Sequence, residues 1–454
     1  MSHQVQRPPY AVDGESGGAA AAQLSRGFGG PVYLPGDAGY ERERQAPYSD
    51  IDPRPAVVAM ASDHADVQTA ITTAREHGLP FSVQGTGHGT HAACNGGILL
   101  KTSEMASVLV DPDRQVARVG AGAVWEQVIA AAEPFGLAPL AGSHQSVGVA
   151  GYTLGGGVGW LGRKYGFAAD SVLSAEVAGA DGRLLKASAD EHPDLFWALR
   201  GGGGNFGVVT SLEFRLYPVG RVYAGVAYFA AERAAETLAR YRDWTADAPD
   251  ELSTSVLLTR LPRAPEVPAA VRGRRVLAIQ VMYAGEEEQA RRALAPLWQA
   301  AGPALSETFR SSSFGAADMG GTGPAQVNLL DTLPDPVIDA LVAAAARPDS
   351  PVLTAEIRHW GGAMGRPGPD AGPVGHRTVR FATVLDGWVP EVDEALRPYA
   401  AGRSFLNFLH DPARAETAYA PGDHRRLREV KRAYDPDNFF HLNYNIPPAP
   451  PRAR

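Results

Sequence analysis

The sequence predicts an α+β protein built from two domains. Its 454 residues, 44% of them hydrophobic, exceed the roughly 250 to 300 residues at which a single core stops growing. Short strands alternate with helices up to residue 219, and longer strands separated by helices follow from residue 220. Residues 1–30 are rich in Gly, Ala, Ser and Pro without periodicity, which predicts a mobile arm. The expected domains are therefore 31–219 and 220–400, followed by a C-terminal segment over 401–454.

The first domain is predicted to begin with a capped helix. Ser62 and Asp63 can cap a helix whose apolar positions 67, 70, 71 and 74 share one face, and Gly78 ends it. A strand over 81–83 then runs into a glycine-rich turn at 85–89. Further strands are predicted at 98–100, 115–119 and 208–216, a helix at 124–132, and a hairpin with strands 174–180 and 183–187. This alternation indicates a mixed α+β domain.

The second domain is predicted to contain one sheet covered by helices on one face. The expected strands are 222–229, 252–258, 275–283, 352–358 and 377–385, and the expected helices are 233–244, 286–298 and 337–345. The tail is predicted to be helical over 423–434.

Charge and hydropathy exclude several classes of partner. The net charge of −8 and the pI near 5.9 leave no basic surface for nucleic acid. No segment reaches the roughly 20 apolar residues that a membrane helix needs, and no signal-peptide core is visible. A cytoplasmic protein without a membrane partner is therefore expected. The single cysteine, Cys94, excludes an internal disulfide framework.

Three glycine-dense segments, 85–89, 148–162 and 201–207, are the strongest local signal. Glycine lets backbone N–H groups approach a phosphate closely, although each cluster by itself could simply form tight turns. Three clusters in one domain favour a large phosphate-bearing ligand. A dinucleotide fingerprint can be matched at 157–162 and 202–207, but neither match has a strand before it and a sustained helix after it. A Rossmann fold is therefore disfavoured.

Two other motifs predict little. His88, His91 and Cys94 form an H-x-x-H-x-x-C run, but flanking glycines and the lack of a fourth ligand disfavour zinc, so no metal is expected. The G-x-S-x-G match at 14–18 lacks the strand and helix of a nucleophile elbow, which disfavours a serine hydrolase.

Five blocks of sequence carry a family resemblance. They are V-Q-G-T-G-H-G at 83–89, A-G-S-H-Q-S-V-G-V-A-G-Y-T-L-G-G-G-V-G-W at 141–160, R-K-Y-G-F-A-A-D at 163–170, D-L-F-W-A-L-R-G-G-G-G-N-F-G-V-V-T at 194–210 and Y-D-P-D-N-F-F-H-L-N-Y-N-I-P-P at 434–448. Together they resemble the berberine-bridge type of FAD-linked oxidases, within the vanillyl-alcohol-oxidase-like flavoproteins. The resemblance implies a two-part FAD-binding domain, an α+β substrate domain with an antiparallel sheet covered by helices, and a C-terminal segment that returns to the flavin.

The resemblance also implies how the cofactor is held. His88 would be joined to the flavin 8α-methyl group, and His144 stands where many members have a cysteine linked to flavin C6, so a second link is not expected. This single attachment makes the chain most similar to the hydroxynicotine-oxidising members. Thr86 replaces a usual glycine. The remaining cofactor-binding residues that the resemblance implies are Gly85, Thr86, Gly87, Gly89, Thr90, Gly142, Ser143, Val147, Gly148, Gly151, Tyr152, Gly155, Gly156, Gly159, Val208 (near the adenine), Asn443 and Asn445.

Flavin chemistry requires a hydride donor carbon bearing an alcohol or amine, and a base for the heteroatom proton. Tyr444 is the first candidate for that base, with a backbone-capping hydroxyl as the alternative interpretation. Glu356 is the second candidate, as a base or as an anchor for a substrate amine, and a solvated edge charge is its alternative. Trp360, Met364 and His376 are possible neighbours of the pocket. The expected function is oxidation of a small organic substrate with O2 as the electron acceptor. A flavin-bearing dehydrogenase, a redox-silent cyclase and a flavin-free binding protein remain alternatives.

Overall fold

The computed structural model describes residues 14–46, 51–317, 319–347, 349–400 and 402–451. Its N-terminal region contains a four-stranded sheet. Strand β4 pairs in parallel with both β2 and β3, and β1 adds to β2 in the antiparallel sense. The elements of this region are α1 (Gly14–Leu24), β1 (Val32–Tyr33), α2 (Tyr40–Glu43), β2 (Val57–Met60), α3 (His64–Glu76), β3 (Phe81–Gln84) and β4 (Ile98–Lys101).

The predicted helix cap at the start of α3 is confirmed. The Asp63 carboxylate accepts a hydrogen bond of 2.9 Å from the Asp66 N–H, which satisfies one of the free donors of the first turn. The apolar face at 67, 70, 71 and 74 is completely buried against the sheet. Since β3 leads directly into residues 85–89, this packing positions the glycine-rich turn.

The expected mobile arm is wrong for the described part of residues 1–30. Helix α1 packs in the same core as α3, and Ala20 and Leu24 are completely buried there. The alanine run at 19–22 has high helix propensity, but such small side chains produce little hydrophobic periodicity in the sequence. Residues 1–13 of the proposed arm lie outside the described residues.

The second part of the first domain is a five-stranded antiparallel sheet in the order β5-β6-β10-β8-β9. The predicted hairpin around Asp181-Gly182 joins β8 to β9, with Gly182 at φ +77°. The elements are β5 (Val108–Asp111), β6 (Val116–Gly120), α4 (Trp125–Ala132), β7 (Leu137–Ala138), α5 (Val149–Leu154), α6 (Gly162–Tyr165), β8 (Val172–Ala178), β9 (Leu184–Ser188), α7 (Pro193–Leu199), β10 (Val208–Arg215) and β11 (Tyr217–Pro218).

The second domain contains an eight-stranded antiparallel sheet in the order β15-β12-β14-β13-β18-β19-β17, with β16 also paired to β12. The expected helices α8, α9 and α10 pack on one face of it, together with α11, which the sequence analysis did not predict. Three short strands, β15 to β17, are absent from the sequence prediction because two to five residues carry too little alternation. The elements are β12 (Val222–Ala230), α8 (Ala234–Trp244), β13 (Leu252–Arg260), β14 (Arg275–Tyr283), α9 (Glu287–Ala301), β15 (Ser306–Glu307), β16 (Arg310–Ser312), β17 (Gln326–Leu330), α10 (Asp335–Ala346), β18 (Thr354–His359), β19 (Phe381–Leu385) and α11 (Pro390–Ala400).

The C-terminal segment returns to the first domain through helix α12 (Pro421–Tyr434). The buried Lys431 ammonium donates to the carbonyl oxygens of Asn205 and Phe440 and to the Asp435 carboxylate. The tail after α12 is thereby held against the glycine-rich loop 201–207. None of the helices in the described part of the chain has the length and apolar character needed to cross a bilayer.

Candidate flavin and substrate site

The histidine loop 85–90 follows directly from β3. Gly87 adopts φ +86°, which a residue with a side chain rarely tolerates, and this turns the chain so that His88 stands beside Thr86. His88 Nδ1 lies 2.9 Å from the Thr86 hydroxyl oxygen. Burial, followed by the neighbouring His144 side chain, lowers the pKa of the His88 imidazole. The ring is therefore neutral near pH 7, and the Thr86 hydroxyl helps to hold its orientation.

The glycines of the proposed cradle fall into two groups. An added Cβ at Gly89 or Gly151 would meet nothing within 4 Å, so these two positions border open space, and at Gly85 it would make an ordinary contact of 3.7 Å with the Thr102 hydroxyl. A Cβ at Gly159, by contrast, would lie 1.8 Å from the Ala141 carbonyl oxygen. Gly142, Gly155 and Gly156 are similarly closed off by protein side chains. A side chain would fit at the first group, whereas packing against neighbouring protein atoms requires glycine at the second.

The other expected cofactor residues differ in how deeply they are buried in the protein. Val208 is buried in the core of the N-terminal sheet, and Val147 and Tyr152 pack on the core of the second sheet. The Tyr152 hydroxyl is buried with no hydrogen-bond partner among the described residues. Gly148 lies beside Thr86, since its added Cβ would approach that side chain to 3.4 Å. The second glycine run therefore meets the histidine loop at this point.

The tail segment 443–446 lies against the loop 201–207. The Asn443 amide donates to the Gly204 carbonyl at 2.9 Å, while Asn205 donates to the Tyr444 carbonyl and accepts from the Ile446 N–H. The side-chain oxygens of Asn443 and Asn445 are buried without a hydrogen-bond partner among the described residues. Two buried acceptors without a partner among the described residues suit a ligand with N–H or O–H donors, and the flavin and ribityl groups of FAD supply such donors.

The first candidate base, Tyr444, uses its hydroxyl within the protein. The phenol donates to the Leu409 carbonyl oxygen, and burial raises its pKa above the ordinary value of 10.0. Its ring lies 5.5 Å from that of His91, which brings the tail to the histidine loop. Tyr444 is not among the residues that line the cavity described next. This geometry corresponds to the backbone-capping alternative.

A cavity lies between the second glycine run and the face of the eight-stranded sheet that the helices leave uncovered. Strand β18 places Ala355 and Ile357 in the helix-covered core and the alternate residues Glu356 and Arg358 at the cavity. Trp360 and Met364 also line it, whereas His376 lies beside the Thr417 carbonyl, 2.8 Å from it, and does not. The full lining is Ser143, Val158, Gly159, Trp160, Arg163, Ser253, Thr254, Ser255, Glu356, Arg358, His359, Trp360 and Met364.

Glu356 is a buried carboxylate rather than a solvated edge charge, since only 1% of its surface is exposed. It accepts hydrogen bonds from Ser255 Oγ at 2.7 Å, from Arg358 Nε at 2.8 Å and Nη2 at 3.1 Å, and from the Thr322 N–H at 3.1 Å. Burial raises the pKa of this carboxyl, but the Arg358 guanidinium and the other donors outweigh burial and lower it below its usual value. The group is therefore ionised at neutral pH.

Three buried side chains were missed by sequence reasoning. Asn205 connects the tail segment 443–446 to the glycine-rich loop 201–207 by hydrogen bonds, and Lys431 donates a further hydrogen bond to the Asn205 carbonyl oxygen. Arg163 reaches from α6 to the second domain, where it donates to the carbonyl oxygens of Leu252 and Trp360 and to His359 Nε2. Asn205 and Arg163 belong to the recognised sequence blocks, but their partners are tens to hundreds of residues away, so no local pattern reveals their contacts.

Comparisons with known proteins agree with this architecture. The FAD binding domain family matches residues 55–188, and the berberine and berberine-like family matches residues 404–447. The chain is 30% identical over 454 aligned positions to (R)-6-hydroxynicotine oxidase of Paenarthrobacter nicotinovorans, covering 92% of this chain and 97% of that protein. An FAD-linked oxidoreductase of Bacillus subtilis is 27% identical, with 92% and 97% covered.

Solved structures show the same fold. The crystal structure of 6-hydroxy-D-nicotine oxidase from Arthrobacter nicotinovorans superposes with a TM-score of 0.79 at 28% identity, covering 93% of this chain and 98% of that one. A berberine-bridge-like protein of Physcomitrella patens gives a TM-score of 0.82 at 21% identity, covering 94% and 99%. The expected resemblance to hydroxynicotine oxidases is thus confirmed. Since identity extends along nearly the whole chain and both family domains lie where the histidine loop and the tail form the site, this protein belongs to the berberine-bridge-like family of FAD-linked oxidoreductases.

Proposed function

We propose that this enzyme oxidises an alcohol or amine carbon of a small organic substrate, with FAD bound covalently through His88 alone and O2 as the final electron acceptor. The observation that carries the proposal is the ionised Glu356 in a cavity bordered by the second glycine run. When bound, FAD supplies the acceptor for the substrate hydride. The protein has to supply a binding site, an orientation and a destination for the heteroatom proton.

Glu356 is the better supported destination for that proton. It lines the cavity, and its two longer contacts, 3.1 Å from the Thr322 N–H and from Arg358 Nη2, are the ones that a substrate hydroxyl could replace. A carboxylate with a lowered pKa is a weak base, but Arg358 and Ser255 hold it at a defined position, which favours proton transfer once the substrate is bound. Tyr444 then has a structural role through Leu409.

The cofactor is proposed to be held by His88, by Gly85 and the open positions at Gly89 and Gly151, and by the amide oxygens of Asn443 and Asn445. The neutral imidazole supports this role, because an unprotonated ring nitrogen is needed to form a bond to carbon. His144 offers no thiol for a second bond. The remaining glycines named in the second run would act indirectly, by keeping its turns close to the first sheet.

The proposal is tested with a screen for peroxide production by the purified protein on alcohols, amines and glycosylated polyketides. Each candidate substrate is also mixed anaerobically with the enzyme, and bleaching of flavin absorbance is followed. Bleaching with peroxide formed in air supports the oxidase. Bleaching without peroxide would assign a dehydrogenase, substrate turnover without net oxidation a cyclase, and a colourless protein would contradict flavin chemistry altogether.

A further inference from the structure

The Arg358 side chain, which lies beside Glu356 at the cavity, has two edges from which a pair of N–H groups can be donated. A guanidinium offers parallel N–H groups along its Nε/Nη2 edge and again along its Nη1/Nη2 edge. The first edge is bound to Glu356, since Nε lies 2.8 Å from Oε1 and Nη2 lies 3.1 Å from Oε2. The second edge has no hydrogen-bond acceptor among the described residues.

The other arginine of the lining, Arg163, has no such edge left. Its Nε, Nη1 and Nη2 atoms all donate within the second domain, to the carbonyl oxygens of Ala248, Pro249, Leu252 and Trp360 and to His359 Nε2. Only 4% of Arg163 is exposed, whereas 14% of the Arg358 side chain is. Of the two guanidinium groups, that of Arg358 is therefore the one with donors available to a ligand.

Contacts on two further sides hold the Arg358 guanidinium at a defined position. Its central carbon lies 5.2 Å from the centre of the Phe408 ring, so the aromatic face supports the group. A Cβ added at Gly321 would lie 3.1 Å from Arg358 Nη2 and 3.0 Å from Ser143 Cβ. Glycine at 321 therefore leaves space beside Nη2, on the side of the second glycine run. A group already held in this way loses little side-chain entropy when a ligand binds.

Glu356 itself is poorly suited to bind a cationic ligand. Each of its oxygens already accepts two hydrogen bonds, from Ser255 and Arg358 at Oε1 and from Thr322 and Arg358 at Oε2. A cation would have to displace these donors, whereas an anion would meet the Nη1/Nη2 edge of Arg358, which has no acceptor to lose.

We propose that the Nη1/Nη2 edge of Arg358 is a subsite for a carboxylate, and that Arg358 is a specificity-determining residue of this enzyme. The inference rests on the proposed function, because it names the substrate class of that same cavity. A planar carboxylate matches this edge with two parallel N–H···O bonds. Since both edges share Nη2, the bound carboxylate would lie beside Glu356. This favours a substrate whose reacting carbon is close to its carboxylate, as in a hydroxy acid.

The test uses three probes of one planar shape that differ in charge: benzoate, benzamide and benzamidinium. Binding to the oxidised holoenzyme is measured by calorimetry, with the flavin absorbance change as a second readout. We expect benzoate to bind about tenfold or more tightly than benzamide, because hydrogen bonds between two charged groups are stronger than those to a neutral amide. Benzamidinium should bind most weakly of the three.

Variants of the pair assign the effect to Arg358. Glu356→Gln removes the competing negative charge and should strengthen benzoate binding by about tenfold, whereas benzamide binding should change little. Arg358→Lys keeps the charge but loses the paired donors, so it should weaken benzoate binding.

The double variant Glu356→Gln/Arg358→Met leaves no uncompensated buried charge, and its benzoate affinity should fall to that for benzamide. The matched control is Arg397→Met, which breaks an exposed ion pair with Asp393 and should leave the affinities for all three probes unchanged.

Equal or tighter binding of benzamidinium than of benzoate by the wild-type enzyme would overturn the subsite. Unchanged or weaker benzoate binding in Glu356→Gln would also overturn it, and so would wild-type benzoate affinity in the double variant. If the double variant folds poorly, Glu356→Gln alone still decides, because only an anion bound at Arg358 gains affinity there. These outcomes do not depend on turnover, so they differ from a failure of the proposed oxidation, which would appear as the absence of flavin bleaching with every substrate tried.

Discussion

The Lys431 ammonium lies 2.6 Å from the Asp435 carboxylate one helical turn away, and both side chains are completely buried. The same ammonium also donates to the Asn205 and Phe440 carbonyl oxygens, and the carboxylate accepts from the Phe439 and Phe440 N–H groups. This pair therefore determines where the chain turns after α12 and, through that turn, where the tail residues 443–446 lie.

Replacing Lys431 with methionine should lower the free energy of unfolding by about 3 to 5 kcal/mol, because Asp435 would remain as an uncompensated buried charge. Urea denaturation followed by circular dichroism measures the change. The matched control is Arg292→Met, which breaks the ion pair with Glu288 on exposed surface, where the two side chains are 65% and 83% accessible. We expect a far smaller effect there, since water already screens the pair. A comparable loss in the two variants would contradict the role given to Lys431.

Acid denaturation should leave the flavin attached to the wild-type polypeptide. A bond between carbon and an imidazole nitrogen does not depend on folding, whereas a cofactor held by packing alone is released when the chain unfolds. His88→Ala should release its flavin under the same conditions, as measured by absorbance of the supernatant after acid precipitation. Thr86→Val serves as a control that removes the hydroxyl beside the ring but leaves the nucleophilic nitrogen. Free flavin in the wild-type supernatant would rule out the covalent link.

Proteolysis of the denatured enzyme should yield a single flavin-bearing peptide, and that peptide should contain His88. His144 has no thiol, and the Cys94 thiol is completely buried, donates to the Ile98 carbonyl oxygen and has its pKa raised to about 12 by burial. A thiol in that state is a poor nucleophile. Mass spectrometry of the peptides identifies the residue that carries the flavin, and flavin on Cys94 would refute attachment through His88 alone. Cys94→Ser should keep the full flavin content.

Glu356→Gln should slow anaerobic flavin reduction by about 10²- to 10⁴-fold, the usual contribution of general base catalysis, while Tyr444→Phe should change it much less. The pH dependence gives an independent check. The pKa of Glu356 is lowered from 4.5, so a rate limited by this base should be flat above about pH 5 and fall in acid. The pKa of Tyr444 is raised above 10.0, so a phenolate base would make the rate climb through the whole alkaline range.

A collapsed rate in Tyr444→Phe beside near-normal reduction in Glu356→Gln would transfer the role to the tyrosine. If Glu356 only anchors the substrate, its glutamine variant should raise KM more than it lowers kcat. Flavin content is measured in both variants, because loss of cofactor would mimic loss of a base.

The sequence alone determined the parts of this protein that depend on short stretches of chain. The α3 cap at Asp63, the hairpin at Asp181-Gly182 and the strand entering the histidine loop each rest on neighbouring residues, so local patterns predict them. The family also followed from the sequence, since ordered blocks at 83–89, 141–160, 163–170, 194–210 and 434–448 carry the resemblance.

Only the tertiary structure decided which side chains share a site. Strand alternation predicted the face of Glu356, but its burial and its contact with Ser255, which lies 101 residues earlier, depend on strand pairing between β13 and β18. The contact between Arg163 and His359 spans 196 residues, and the Tyr444 hydroxyl and the Leu409 carbonyl belong to two separate segments outside helices and strands. Helix α1 was likewise not predicted from the sequence, because its small alanine side chains pack closely in the core but produce no clear hydrophobic periodicity in the sequence. Such contacts depend on how distant segments pack together. The hydrophobic periodicity of one segment does not show which other segment it will pack against.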